Sequence, residues 1–99
     1  MTLNEYQKYA QQTDGAHPVD YYLHGLASEA GEAAGVRKRE LRGDDDPGNM
    51  KAELGDVLWY LTQTAEKYGL TLDEVAQYNI EKLRKRAMSG TIRGKGDNR

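Results

Sequence analysis

Four carboxylates stand in two pairs, Glu29 with Glu32 and Glu53 with Asp56, each pair three residues apart. The first lies in "GLASEAGEAAG", among alanines and glycines and without a lysine or arginine; the second lies in "KAELGDVLWYL", beside an apolar run. A lone ExxE on a helix ordinarily faces water. Two pairs at one spacing, on successive helices and each flanking an apolar face, are a different signal. Carboxylates that converge without bases repel, and burial makes every charge costlier. Such a cluster is tolerable mainly when a cation sits in it. Oxygen-only ligands without His or Cys suit Mg²⁺, with Mn²⁺ as a substitute, and both ions keep waters and favour phosphate ligands. The small residues Ala30, Gly31, Ala33, Ala34 and Gly55 leave room for an ion and a ligand to approach.

Helices must carry these acids, since no period-2 alternation suggests a strand. Four segments fit. The first spans about 3–12 and opens on the capping box "TLNE". The second spans about 19–41. Asp46 followed by Pro47 reads as the start of a third helix that runs to about 68 and stops at Gly69. A second capping box, "TLDE", opens a fourth helix reaching about 88, and a basic, Gly-rich tail covers 88–99. The expected product is one all-α domain over 1–99, an antiparallel bundle of about four helices. On the third helix Met50, Leu54, Val57, Leu61, Ala65 and Tyr68 share an apolar stripe, with Glu53, Asp56 and Tyr60 on its shoulder. On the second helix the stripe is Val19, Tyr22, Leu26, Ala30, Ala33 and Leu41, with Glu29 on its shoulder and Glu32 one turn along.

Composition sets outer limits. The chain has 99 residues, no Cys and no Phe, with 37% hydrophobic and 30% charged residues. That is a thin core for a monomer, so self-association is expected to complete it. The lack of Cys excludes disulfides and thiol chemistry. No apolar run reaches the roughly 20 residues of a membrane span, and no signal-peptide pattern is present. The expectation is a soluble, cytoplasmic protein with no membrane partner. Residues 81–99 carry seven basic residues against two acids, a net of +5, which leaves −7 on the rest of a chain whose total is −2. A basic run of this kind faces water or meets an anion.

The acid pairs, ExxE followed about twenty residues later by ExxD, resemble the MazG-like nucleoside triphosphate pyrophosphohydrolases, an all-α family. "GLASEAGEAAGVRKR" is similar to that family's first acidic helix, "AELGDVLWYL" to its second, "VAQYNIEKLRKR" to the helix after it, and "IRGKGDNR" to the ending of phage and bacterial members. One departure is Ser28, where many relatives have Glu; it bears on how many metals are held. The resemblance implies hydrolysis of an NTP or dNTP between the α and β phosphates, to a monophosphate and pyrophosphate. It implies Mg²⁺ held by Glu29, Glu32, Glu53 and Asp56, and a homodimer or homotetramer. Asn79 and Lys82 share a face of the fourth helix, with Arg86 four residues further on, and could meet the triphosphate. Tyr60 is a candidate wall for base or sugar, and Lys38, Arg93 and Lys95 are further candidates for phosphate contact.

Other residues read more plainly. His17 beside Pro18 fits turn chemistry, and His24 fits a partly buried helix position. Trp59 falls away from the apolar stripe, which suggests a protomer interface. A ferritin-like di-iron site would need Glu-x-x-His pairs that the chain lacks. The alternative to an enzyme is a non-catalytic nucleotide sensor or an anion-binding helical module; docking on nucleic acid is not favoured.

Overall fold

The computed structural model describes residues 1–90, which form four helices and, among the described residues, no strand. They are α1 (Leu3–Gln11), α2 (Val19–Arg42), α3 (Met50–Lys67) and α4 (Leu72–Ser89). Arg93, Lys95 and most of the expected tail lie outside the described residues.

Local chemistry sets the helix ends. Thr2 and Glu5 form a reciprocal capping box on α1, with Thr2 N–H donating to Glu5 Oε1 at 2.7 Å and Glu5 N–H to Thr2 Oγ1 at 3.1 Å. Thr71 and Glu74 repeat the device on α4 at 2.8 and 3.1 Å. α3 ends in a Schellman turn, with Gly69 at φ 70° and Leu70 N–H donating to the Ala65 carbonyl at 2.9 Å. Its start differs from expectation. The cap is Asn49, whose Oδ1 accepts from Ala52 N–H at 3.1 Å, and not Asp46–Pro47. The Pro47 carbonyl is taken instead by Arg39 Nε at 2.7 Å, and Gly48, at φ 111°, turns the chain past Val36.

α2 and α3 pack as an antiparallel hairpin. Up α2 and down α3, Tyr22 meets Lys67 and Trp59, Gly25 meets Tyr60, Glu29 meets Glu53, and Val36 meets Gly48. α1 packs on α3 and α4, and α4 reaches α1 and α3 but, among the described residues, not α2. Buried glutamines make these joints. Gln7 accepts from Leu72 N–H at 2.7 Å while its amide donates to Glu66 Oε2 at 2.7 Å and to the Leu70 carbonyl at 3.0 Å. Gln63, fully buried, donates to the Ala10 carbonyl at 3.1 Å.

The two expected stripes are covered only in part. On α3 the interior of the chain takes Thr62, Gln63 and Ala65, with Trp59 and Tyr60 half-buried. Of the expected stripe, Leu54 at 55%, Leu61 at 38% and Tyr68 at 64% are left exposed, while Met50 and Val57 are half-buried and Ala65 is buried. Trp59 is not at a free surface, because its indole N–H donates to Thr13 Oγ1 at 2.8 Å and its ring packs 6.0 Å from Tyr22. The reason is the hairpin: α2 lies over the α3 face that carries the acids and Trp59, so the row Leu54, Leu61 and Tyr68 is left bare. On α2, Tyr22 and Val36 are buried, while Ala30, Leu41 and His24 are exposed. The radius of gyration is 16.2 Å, against about 13 Å for a compact domain of this length.

Candidate functional site

Tyr22, Glu29 and Val36 recur every seven residues on α2, so Glu29 occupies the packed row itself and not its shoulder. Tyr22 and Val36 are buried above and below it, which holds a carboxylate half-buried between two anchored turns. Facing it from α3 are half-buried Glu53 and exposed Asp56. One ligand oxygen from each of Glu29, Glu53 and Asp56 falls within 4.8 Å of the others, a separation at which three carboxylates can share one cation. Among the described residues no Lys, Arg or His forms an ion pair with any of the three.

The electrostatics follow from this placement. Burial pushes the Glu29 carboxyl above the usual carboxylate range, and the charges of Asp56, Glu53 and Glu32 push it further, as does a hydrogen bond shared with Glu53. Burial and the hydrogen bond favour the protonated carboxyl, while the repulsion from the three neighbouring acids is what a cation at the centre of the trio would relieve. Glu32 is exposed and outside the trio; its charge is nevertheless felt by Glu29.

Tyrosines wall the cluster. A Cβ on Gly25 would overlap the Tyr60 ring, so that glycine lets Tyr60 lie against the α2 backbone. Tyr60 hydrogen-bonds with Tyr21, and that contact, burial and the nearby charges of Tyr21, Glu29 and Asp56 raise its hydroxyl above the ordinary phenol value. Tyr6 of α1 is raised too, by burial and then by the charge of Asp56, which places α1 at the edge of the cluster. Tyr6, Tyr21 and Gly25 were not singled out from the sequence. Gly25 alone left a signal, a glycine inside a long helical pattern, which often marks close packing.

The remaining expected residues are not gathered by the single chain. Lys38, nine residues beyond Glu29, is exposed on the opposite side of α2. Asn79 is exposed, and Lys82 and Arg86 are half-buried, on a helix that does not touch α2. Gly31 and Gly55 have open space where a side chain would stand, but both are exposed and lie on the side of their helix away from Glu29 and Glu53, so they make no room between the acids.

An antiparallel helix pair that faces carboxylates against one another beside a tyrosine ring defines an all-α protein with a cluster of acids that could hold a cation. Residues 18–90 match the family model described as the MazG nucleotide pyrophosphohydrolase domain, and the chain belongs to that family. The match takes in α2, α3 and α4 and leaves α1 outside it. The chain is also 40% identical over 96 residues to the Gene 37 protein of Mycobacterium phage L5, covering 91% of this chain and 84% of that protein. No solved structure is significantly similar. No helix among the described residues is long and apolar enough to cross a membrane.

Proposed function

We propose that this chain hydrolyses a nucleoside or deoxynucleoside triphosphate between its α and β phosphates, releasing the monophosphate and pyrophosphate. The observation that carries the reading is the convergence of Glu29, Glu53 and Asp56, whose mutual repulsion is left uncompensated by any cationic side chain among the described residues. The oxygen-only donor set fits Mg²⁺, with Mn²⁺ as a substitute. When bound, such an ion neutralises phosphate charge and lowers the pKa of a coordinated water. Glu29 and Glu53, held by packing, fix the centre; exposed Asp56 and Glu32 are free to accept a proton from an attacking water or to complete the ligand set. Tyr60 borders the approach and shields one side of it from solvent.

Asn79, Lys82 and Arg86, together with Arg93 and Lys95, are assigned to the triphosphate. Within one chain α4 does not reach α2, so a second copy laying its α4 against the hairpin is the arrangement that brings these residues to the acids. The outward row Leu54, Leu61 and Tyr68 supports a homodimer or homotetramer, since an apolar face of this kind is costly to leave in water. The cytoplasm, where nucleoside triphosphates are made, is the proposed site of action.

Incubation of the purified chain with Mg²⁺ and a panel of NTPs and dNTPs tests the function. Monophosphate and pyrophosphate, abolished by a chelator, are expected. Diphosphate and phosphate would reassign the reaction, and no turnover with a folded chain would favour a nucleotide sensor.

A further inference from the structure

We propose that the stacked rings of His17 and Tyr21 form the nucleobase subsite, the platform on which the base lies while the phosphates reach Glu29, Glu53 and Asp56. The inference rests on the nucleotide reading above and adds to it the place where the base is held. The two rings lie 3.9 Å apart at 23°, yet His17 is exposed and Tyr21 keeps 44% of its surface open. An aromatic stack presented to solvent is suited to a flat π-surface, and every nucleobase offers one.

The loop before α2 is shaped to hold that stack. Ala16 sits at φ 57°, a left-handed conformation that residues with a side chain adopt rarely and that persists only where the surroundings enforce it. They do so here. Asp14 Oδ1 accepts from Ala16 N–H at 3.2 Å and also from the Tyr22 hydroxyl, which itself accepts from His17 N–H at 3.0 Å. A Cβ on Gly15 would come within 2.8 Å of His17 Nε2, so that glycine clears the space the imidazole uses. A plain connection between two helices needs neither the strained alanine nor the cleared glycine.

Position completes the case. Tyr21, Gly25 and Glu29 follow one another at four-residue steps along one side of α2. The rise from Tyr21 to Glu29 is about 12 Å, comparable with the span from the base of an extended nucleotide to its β phosphate. Tyr60 lies between, its ring 6.1 Å from Tyr21 and against Gly25, where a sugar would pass.

Calorimetric titration of the full chain with Mg²⁺ present tests this with two probes, a nucleoside triphosphate whose α–β bridge resists hydrolysis and inorganic tripolyphosphate, which has no base. Tyr21→Ala is expected to weaken the nucleotide by about 10-fold or more, the contribution of one stacked base, and to leave tripolyphosphate unchanged. Tyr21→Phe, which keeps the ring but loses the hydrogen bond to Tyr60, should retain most of the nucleotide affinity that Tyr21→Ala loses, and His17→Ala, in the exposed loop, should lose nucleotide affinity alone. Undiminished nucleotide binding by both alanine variants, or equal loss of the two probes, would overturn the subsite. A wild type that binds tripolyphosphate with the same affinity as the nucleotide would also overturn it. A wild type that binds neither would overturn the nucleotide reading itself.

Discussion

The ring of Tyr60 fills the space that any side chain at residue 25 would need, so Gly25 and Tyr60 together set how closely α3 can approach α2. That approach fixes the distance between Glu29 on one helix and Glu53 and Asp56 on the other, because all five lie on the facing surfaces of a single hairpin. A cluster of acids is thus held in place by a glycine four residues from the first of them.

Gly25→Ala is expected to destabilise the protein. The added methyl group should cost about 1–3 kcal/mol through overpacking, which exceeds the roughly 1 kcal/mol that alanine gains over glycine within a helix. Thermal unfolding reads the net effect. Trp59, whose ring is 5.0 Å from Tyr60, should report the displaced tyrosine as a change in emission.

Glu29→Gln should stabilise the metal-free protein and abolish its activity. The neutral amide removes a half-buried charge that Asp56, Glu53 and Glu32 all oppose, while keeping the shape of the side chain. Comparison of melting temperatures with and without Mg²⁺ and a turnover assay check the two halves: the variant should start higher than the wild type, gain little on adding the ion, and release no pyrophosphate.

Asp14 gives stability its acid limit. Burial opposes its charge, but the Tyr22 hydroxyl, the Ala16 N–H and Lys67 Nζ at 3.6 Å outweigh it and hold the carboxyl below its ordinary value of 3.8. An acid with a depressed folded pKa contributes stability that is present above its unfolded value and is lost as the pH falls through the folded one. The wild type should therefore lose stability relative to Asp14→Asn below about pH 4, and the two unfolding profiles should converge there. At neutral pH the variant should be less stable by about 1–3 kcal/mol, the range for a buried hydrogen bond to a charged group.

The helices were legible because their ends are chemical. The Thr2–Glu5 and Thr71–Glu74 boxes name their helix starts outright. Asp46–Pro47 misled because Asn49 offers a competing cap and Arg39, far along α2, captures the Pro47 carbonyl; that contact is tertiary and leaves no local trace. The acids Glu29, Glu53 and Asp56 could be found from type and spacing, and their convergence required only that two helices pack antiparallel. Which part of the α3 stripe packs inward was not legible: Ala65 is buried and Leu54, Leu61 and Tyr68 are not. Thr62 and Gln63 are buried, Gln63 with its amide on the Ala10 carbonyl of α1, while Leu54 and Leu61, more apolar, are left outside. Apolar periodicity marks a face that will be covered, without saying whether the cover comes from the same chain.

Paired substitution Leu54→Lys with Leu61→Lys tests the second source of cover. Both side chains are exposed in the single chain, so its helices should form as before by circular dichroism. Light scattering during size-exclusion chromatography should show an oligomer for the wild type and a monomer for the variant. The monomer should lose most of its activity, since α4 would no longer be delivered to a neighbouring hairpin.

The central claim, that Glu29, Glu53 and Asp56 hold a divalent cation between α2 and α3, is tested most directly by titrating the metal-free protein with Mn²⁺ and following free ion by electron paramagnetic resonance. The wild type should remove Mn²⁺ from solution in proportion to protein, with Mg²⁺ competing, and Glu29→Gln and Glu53→Gln should each abolish or greatly weaken the uptake. Equal uptake by the wild type and both variants, or none by a folded wild type with and without nucleotide, would contradict it.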